Sequence, residues 1–468
     1  MTNSLLLDLL STFSKKEWRE LDRFIRSPFF NTRSEVIAFF EGLTEGWWWT
    51  GIEPDKRKLF KRVYGNEPFS DQKVRLLMSD LLRLAEQYLV CQDLTKDEVN
   101  IKTTLSKIYR LRGLPKHFRR SLKQAGQEQN KSPLRNAAYF RDAYEIQLEQ
   151  YRYDASVKRT MKLNLQLITN YLDIHYLVQK LRMVCTLLSH QAVYKADYDF
   201  GMLEEILSYV EQNDLLEVPA IAVYYYCYRS LTQPDQPDHF QQFKRLILEK
   251  GAFFTASEMR DLTILAINFC IRNYNKGNHA YLKEEFDIYR EGLEKGYLIQ
   301  DGSLSRFTYR NVVTLGLVMK EHDWVESFIV EYRDLLPSEY RESMFSFCRA
   351  RLTYSRKQYD ESLSLLQKAE SGDLLLQLAS RAVRMKIYYE LQELDLLDSH
   401  LEAMKVFIRR KKIMGYHQTN YLNMIHFMKK MLELNIYDRQ EVVLLKEELQ
   451  QTQSVAEKNW LLQQLEDL

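Results

Sequence analysis

Twelve positions in the C-terminal third of the chain fall into four columns that return every 34 or 35 residues. Gly316, Ala350 and Met385 form the first column, and Phe328, Ser362 and Leu397 the second. Tyr332, Leu366 and Leu401 form the third, and Leu335, Ala369 and Met404 the fourth. Inside each unit the steps are 12, 4 and 3 residues. That is the period of a two-helix repeat, in which one hairpin buries its apolar face only when neighbours stack on it. The expected fold class is therefore all-α: an α-solenoid of antiparallel helix hairpins with a small helical N-terminal cap.

Composition agrees with long helices joined by short turns. Among 468 residues there are only 15 Gly and 9 Pro, so few breakers interrupt the apolar periodicity. No segment shows sustained strand alternation between hairpin turns. The five cysteines, Cys91, Cys185, Cys227, Cys270 and Cys348, are scattered, as buried thiols in a reducing compartment would be. Met1–Leu10 lacks the basic flank of a secretory signal, and no window approaches the ~18 apolar residues of a membrane span. The expectation is a cytoplasmic protein without membrane association.

Three regions follow. Residues 1–95 read as a helical N-terminal cap, with a capping box at Ser14 and Glu17, a helix begun near Pro54 and ended by Gly65, and a further helix capped by Ser70. Residues 96–200 read as a long-helix connecting region, with Pro115 and Pro133 at helix starts. Residues 201–468 read as repeats. Their first helices begin near Val218, Ser257, Leu304, Ser338 and Leu374, and their partners near Asp238, Asn278, Asp323, Tyr359 and Asp395. Gly251, Gly277, Gly296, Gly302 and Gly372 punctuate the turns, and two polar helices, 417–434 and 438–466, close the stack.

The 12–4–3 spacing over residues 308–410 resembles the tetratricopeptide repeat, in which small residues such as Gly316, Ala350, Ser362 and Ala369 let paired helices approach closely. The Trp column of that family is filled here by Val312, Ser346 and Arg381. The strings Phe13-Ser14-Lys15-Lys16-Glu17 and Ser27-Pro28-Phe29-Phe30-Asn31, with Tyr388-Tyr389-Glu390 near the end, resemble an uncharacterised helical-repeat family of Bacteroidetes. The first resemblance implies a binding scaffold. The second implies no activity and no site residue.

Catalytic signatures are missing from the sequence. No Gly precedes a Lys, no His precedes a Glu, and no GxSxG elbow occurs, so no phosphate loop, zinc-protease motif or hydrolase nucleophile is read, and no cofactor, metal or catalytic residue is expected. The adjacent carboxylates Glu204-Glu205, Glu284-Glu285 and Glu447-Glu448 point about 100° apart on a helix and read as solvated faces.

Binding signals are stronger. Between Lys102 and Arg135 stand ten basic residues and one acid, Glu128, in a chain whose net charge is only +2. Lys116, Arg119, Arg120 and Lys123 recur at helical spacing. This segment reads either as solvated surface paired with acids elsewhere in the chain or as the footprint of an anionic partner such as nucleic acid. A second run, Arg409-Arg410-Lys411-Lys412, suits the end of a helix. Trp47, Trp48 and Trp49 are too bulky to enter one core from a short connection, and Tyr224, Tyr225 and Tyr228 lie on a first helix of the type that lines a concave face. Both sets are candidate protein-partner contacts, with packing inside the fold as the alternative. The function expected is a non-enzymatic interaction scaffold that binds a protein partner; the alternative is a nucleic-acid-associated or regulatory protein using residues 102–135.

Overall fold

The computed structural model describes residues 4–48, 55–157, 163–194, 196–370, 373–411, 416–435 and 438–468. They form twenty-three α-helices and one very short β-hairpin, so the protein is all-α. Among the described residues no helix is long and apolar enough to cross a membrane. Contacts divide the chain into two compact units, Met1–Gln179 and Lys180–Leu468.

The first unit opens with α1 (Leu5–Ser11), α2 (Lys15–Ile25), α3 (Ser34–Leu43), α4 (Lys56–Tyr64) and α5 (Asp71–Leu94). The capping box forms as the sequence implies: Ser14 N–H donates to Glu17 Oε2 at 2.7 Å, and Glu17 N–H donates to Ser14 Oγ at 3.3 Å. Trp18, Leu21 and Ile25 then enter a core with Phe39, Phe40 and Leu81. Pro54 lies outside the described residues; the α4 cap is Asp55, whose carboxylate accepts from Arg57 N–H, and Gly65 ends the helix at φ +63°. After α2 the chain turns through Phe30, which stacks on Phe24 at 4.0 Å, and Asn31, whose buried amide donates to Ile25 O at 3.0 Å. The Ser27–Asn31 string is thus a helix-ending turn held by its own side chains.

The same unit continues with α6 (Glu98–Leu111), α7 (Pro115–Lys131) and α8 (Ala137–Val157), and includes the first part of α9 (Leu165–Tyr194). Phe118, Leu122 and Ala125 of α7 pack with Ile146 and Tyr153 of α8 in a second core. Pro115 occupies the first turn of α7. Pro133 does not start a helix; Asn136 does that work ahead of α8, its side chain accepting from Tyr139 N–H at 3.2 Å.

The second unit contains the rest of α9, then α10 (Leu203–Gln212), α11 (Pro219–Thr232), α12 (Pro237–Glu249), α13 (Ala256–Asn275) and α14 (Ala280–Glu294). A β-hairpin, β1 (Ile299–Gln300) and β2 (Ser303–Leu304), follows. Its turn residues Asp301 and Gly302 both have positive φ, the Asp-Gly arrangement that suits a tight hairpin. This small strand pair lies between α14 and the next helix, and strand alternation over two residues is too short to show in a sequence. The helices resume as α15 (Arg306–Val318), α16 (His322–Glu331), α17 (Arg341–Ser355), α18 (Tyr359–Ala369), α19 (Leu374–Glu390), α20 (Leu394–Arg410) and α21 (Tyr416–Glu433). Where the sequence predicts one closing helix over 438–466, two occur, α22 (Arg439–Gln451) and α23 (Lys458–Glu466): Thr452 turns extended at the end of α22, and Glu457, left-handed at φ +55°, caps α23. Trp460 of α23 donates its indole N–H to Glu390 at 3.1 Å, and the Tyr354 and Tyr359 hydroxyls donate to the same carboxylate.

From α11 to α20 the helices pack as consecutive hairpins: α11 with α12, α13 with α14, α15 with α16, α17 with α18 and α19 with α20. Each pair also packs on the next, through α12 and α13, α14 and α15, α16 and α17, and α18 and α19. The sequence columns sit at these contacts. A Cβ at Gly316 would lie 2.4 Å from Val325 Cγ2, so the α15–α16 approach requires glycine. Ser362 Oγ donates to Ala350 O at 2.8 Å within the buried α17–α18 contact, and Met385, Leu397, Leu401 and Met404 are fully buried one step later.

The turns inside the hairpins repeat as well. Gly277, Lys320, Lys357 and Gln392 all have positive φ. In each turn the next residue donates back across it: Asn278 to Asn273 O, Glu321 to Gly316 O, Gln358 to Thr353 O and Glu393 to Tyr388 O. This is the hydrogen-bond pattern of a Schellman helix end, where glycine is the usual occupant. Lys320 and Lys357 carry the steric cost of a Cβ there. Replacing either by Gly is expected to raise the unfolding free energy by about 0.5–1 kcal/mol, measured by urea titration. A loss at both positions would contradict this account of the turns.

Candidate functional site

Two surfaces gather the residues singled out in the sequence, one in each unit. In the second unit, a cavity of about 400 Å³ is lined by Arg182, Thr186, Ser189, His190, Tyr224, Asp261 and Leu265. Three helices supply these side chains in register. Arg182, Thr186, Ser189 and His190 follow one another at helical spacing on α9, Asp261 and Leu265 are one turn apart on α13, and Tyr224 comes from α11.

Arg182 pairs with Asp261 at 3.3 Å and reaches Glu258 at 3.7 Å, so its charge is already balanced. At the rim, Tyr198 Oη lies 2.7 Å from His190 Nδ1. Tyr224 is 2% exposed and its hydroxyl has no hydrogen-bond partner. Burial pushes that hydroxyl well above the usual tyrosine range, with Glu258 adding to the rise, so it stays protonated and able to donate. An unmatched buried hydroxyl costs about 1–3 kcal/mol. What the cavity offers a ligand is the exposed carboxylate of Asp261 and the apolar wall of Leu265, while the Tyr224 hydroxyl is closed off from solvent.

The neighbouring tyrosines do not reach this cavity. Tyr225 is buried and donates to Glu211 at 2.6 Å while accepting from Arg229 at 3.0 Å. Tyr228 is buried too. Of the three tyrosines only Tyr224 lines an opening. Trp47 sits in a π-helical turn, Thr44–Trp48, that continues α3, and is partly buried against the N-terminal core with its ring 6.3 Å from that of Trp18. The side chain of Trp48 and all of Trp49 lie outside the described residues. Phe29, which the sequence reading did not select, is 86% exposed beside Phe30. Nothing in the local sequence separates it from its buried neighbour; the difference arises because Phe30 alone meets Phe24.

In the first unit, Lys116, Arg119, Arg120 and Lys123 are all exposed on α7. They do not form one uniform set. Lys116, Arg120 and Lys123 stand opposite the buried face of Phe118, Leu122 and Ala125, whereas Arg119 turns toward α8, its guanidinium 3.3 Å from the Tyr153 hydroxyl and over the Tyr153 ring. Other basic residues of the segment are neutralised inside the unit: Lys102 by Glu98, Arg110 by the buried Glu149, and Lys131 by Glu128.

Among the described residues no set of three His, Cys, Asp or Glu side chains is placed to hold a metal ion. The cysteines are all free thiols, and burial pushes Cys348 up to about 12 and raises Cys185, which contacts Cys227. Thiols held protonated are poor nucleophiles. Glu204, Glu205, Glu447 and Glu448 are exposed as expected, but Glu284 and Glu285 divide. Glu284 pairs with Lys244 at 2.5 Å, while Glu285 is buried, and burial alone raises its carboxyl to about 7.

The folded Glu285 therefore keeps its proton up to about pH 7, whereas the unfolded carboxyl releases it near the ordinary value of 4.5. Between those values the folded state binds the extra proton, so this group's contribution to stability is present below the window and is lost as pH rises through it. Glu285→Gln removes the penalty. Its stability advantage over wild type is expected to grow by about 3 kcal/mol between acid and mildly alkaline pH, read from paired urea titrations. A pH-independent difference would refute the assignment.

Compared with protein-family models, curated proteins and solved structures, the chain matches none.

Proposed function

We propose that the chain is a non-enzymatic interaction scaffold whose second unit is a tetratricopeptide-like solenoid, binding an extended peptide segment of a protein partner at the α9–α11–α13 cavity. The observation that carries this reading is an open cavity whose wall sets the exposed Asp261 carboxylate beside the apolar side chain of Leu265. A peptide fits the lining: its N–H donates to Asp261, and an apolar side chain rests on Leu265. Because Arg182 is already paired, an uncharged segment suits the cavity better than an acidic one. First helices of successive hairpins line such cavities when repeats stack, and a surface of this kind is what the repeat architecture commonly offers partners. A reducing, cytoplasmic setting belongs to the same proposal, supported by five free cysteines.

The test is selection of short peptides from a display library on the purified chain, followed by affinity measurement. Thr186 is exposed at the cavity. Thr186→Arg is expected to abolish binding of the selected peptides without lowering Tm. Asp261→Ala is expected to weaken them about 3- to 10-fold, the effect of one hydrogen bond. Peptides that bind both variants as tightly as wild type would overturn the proposal.

A further inference from the structure

The α7 hairpin carries a run of cations without ion pairs. Lys107, Arg112, Lys116, Arg120 and Lys123 are exposed, and none has an ion-pair partner among the described residues. Some other cations of the unit are ion-paired: Lys56 and Arg75 both pair with Asp71, and Lys73 pairs with Glu67. The five are also held together by the fold. Lys107 lies one turn before the end of α6, Arg112 lies in the turn, and Gly113 at φ +69° closes it, with Leu114 N–H donating to Tyr109 O at 2.9 Å. Helices α6 and α7 pack along each other, and Ser121 Oγ donates to Lys102 O at 2.9 Å between them. The cations are thus borne on a rigid hairpin.

Lys116, Arg120 and Lys123 span about 10 Å of helix on the side opposite the core. The next outward position is Gln127, so neither an acid nor an apolar side chain interrupts the stripe. Like charges at this spacing repel one another and weaken an isolated helix slightly. A stripe without apolar groups gains little from inserting into a bilayer or from burial against a protein core, but it gains from displacing counterions along a regular line of phosphates. The geometry points to this face as a docking surface for the phosphate backbone of a nucleic-acid duplex, read without base specificity. Charge complementarity selects the occupant: the stripe is a row of fixed cations, and a duplex is a row of fixed anions.

The experiment uses the full chain and a fluorescent DNA duplex of about 24 base pairs, with anisotropy recorded between about 50 and 200 mM salt. Three phosphate contacts predict binding about 40-fold weaker at the higher salt. In the variant Lys116→Gln/Arg120→Gln/Lys123→Gln, affinity at low salt is expected to fall at least tenfold and the salt slope to shrink by about 2.7. The control Lys56→Gln/Lys73→Gln/Arg75→Gln removes the same charge from ion-paired positions and is expected to stay within about threefold of wild type. Circular dichroism checks that both variants fold, as expected where five of the six residues are exposed and Lys56 is half-buried. Absence of duplex binding by wild type, equal losses in the two variants, or binding confined to phosphatidylserine vesicles would each overturn the inference.

Discussion

The second unit depends on how closely two helices of a hairpin can lie. At Gly316 the α15 backbone meets Val325 with no room for a Cβ, and in the next hairpin Ser362 of α18 hydrogen-bonds the Ala350 carbonyl of α17. Close contact of this kind lets the flanking side chains interlock, and packing at crystalline density follows only when the backbones approach. Each hairpin then presents its remaining apolar side to the next pair, so the stacking from α11 to α20 follows from local contacts repeated along the chain.

Much of this was legible beforehand because the repeat columns report the tight contacts directly. Starts near Val218, Ser257, Leu374, Asp238, Asp323, Tyr359 and Asp395 all fall within one residue of helices in the structure. The turns were less legible. Glycine marks such turns in a sequence, yet Lys320, Lys357 and Gln392 hold left-handed conformations that their residue types disfavour, and the back-donated hydrogen bonds around them explain why. The break before α23 escaped for the same reason, since Glu457 gives no local sign of its positive φ. Signature strings near the ends turn out to serve structure: Asn31 seals the end of α2, and Glu390 gathers Tyr354, Tyr359 and Trp460 from three other helices.

Sites were harder to read than elements, because exposure and partnership are tertiary properties. Tyr224, Tyr225 and Tyr228 look alike in sequence, but packing satisfies Tyr225, encloses Tyr228 and leaves Tyr224 alone with an unmatched hydroxyl. Arg119 and Arg120 are adjacent, and the 100° turn between them sends one to Tyr153 and the other to solvent. Charge density along the chain located the basic segment; only the ion pairs show which of its cations remain available. The two units thus carry surfaces of opposite character, one a neutral cavity with few exact hydrogen-bonding demands and the other a row of open charges that responds to salt.

The closest test of the packing account is a double-mutant cycle at the α15–α16 contact, with unfolding free energies for Gly316→Ala, Val325→Ala and the pair. A methyl at 316 clashes with Val325 Cγ2, and trimming Val325 to Ala removes that atom. The account predicts that the double variant is more stable than the sum of the two single losses implies, by about 1 kcal/mol or more. Strictly additive losses would show that helix approach at Gly316 is not the constraint that sets the hairpin.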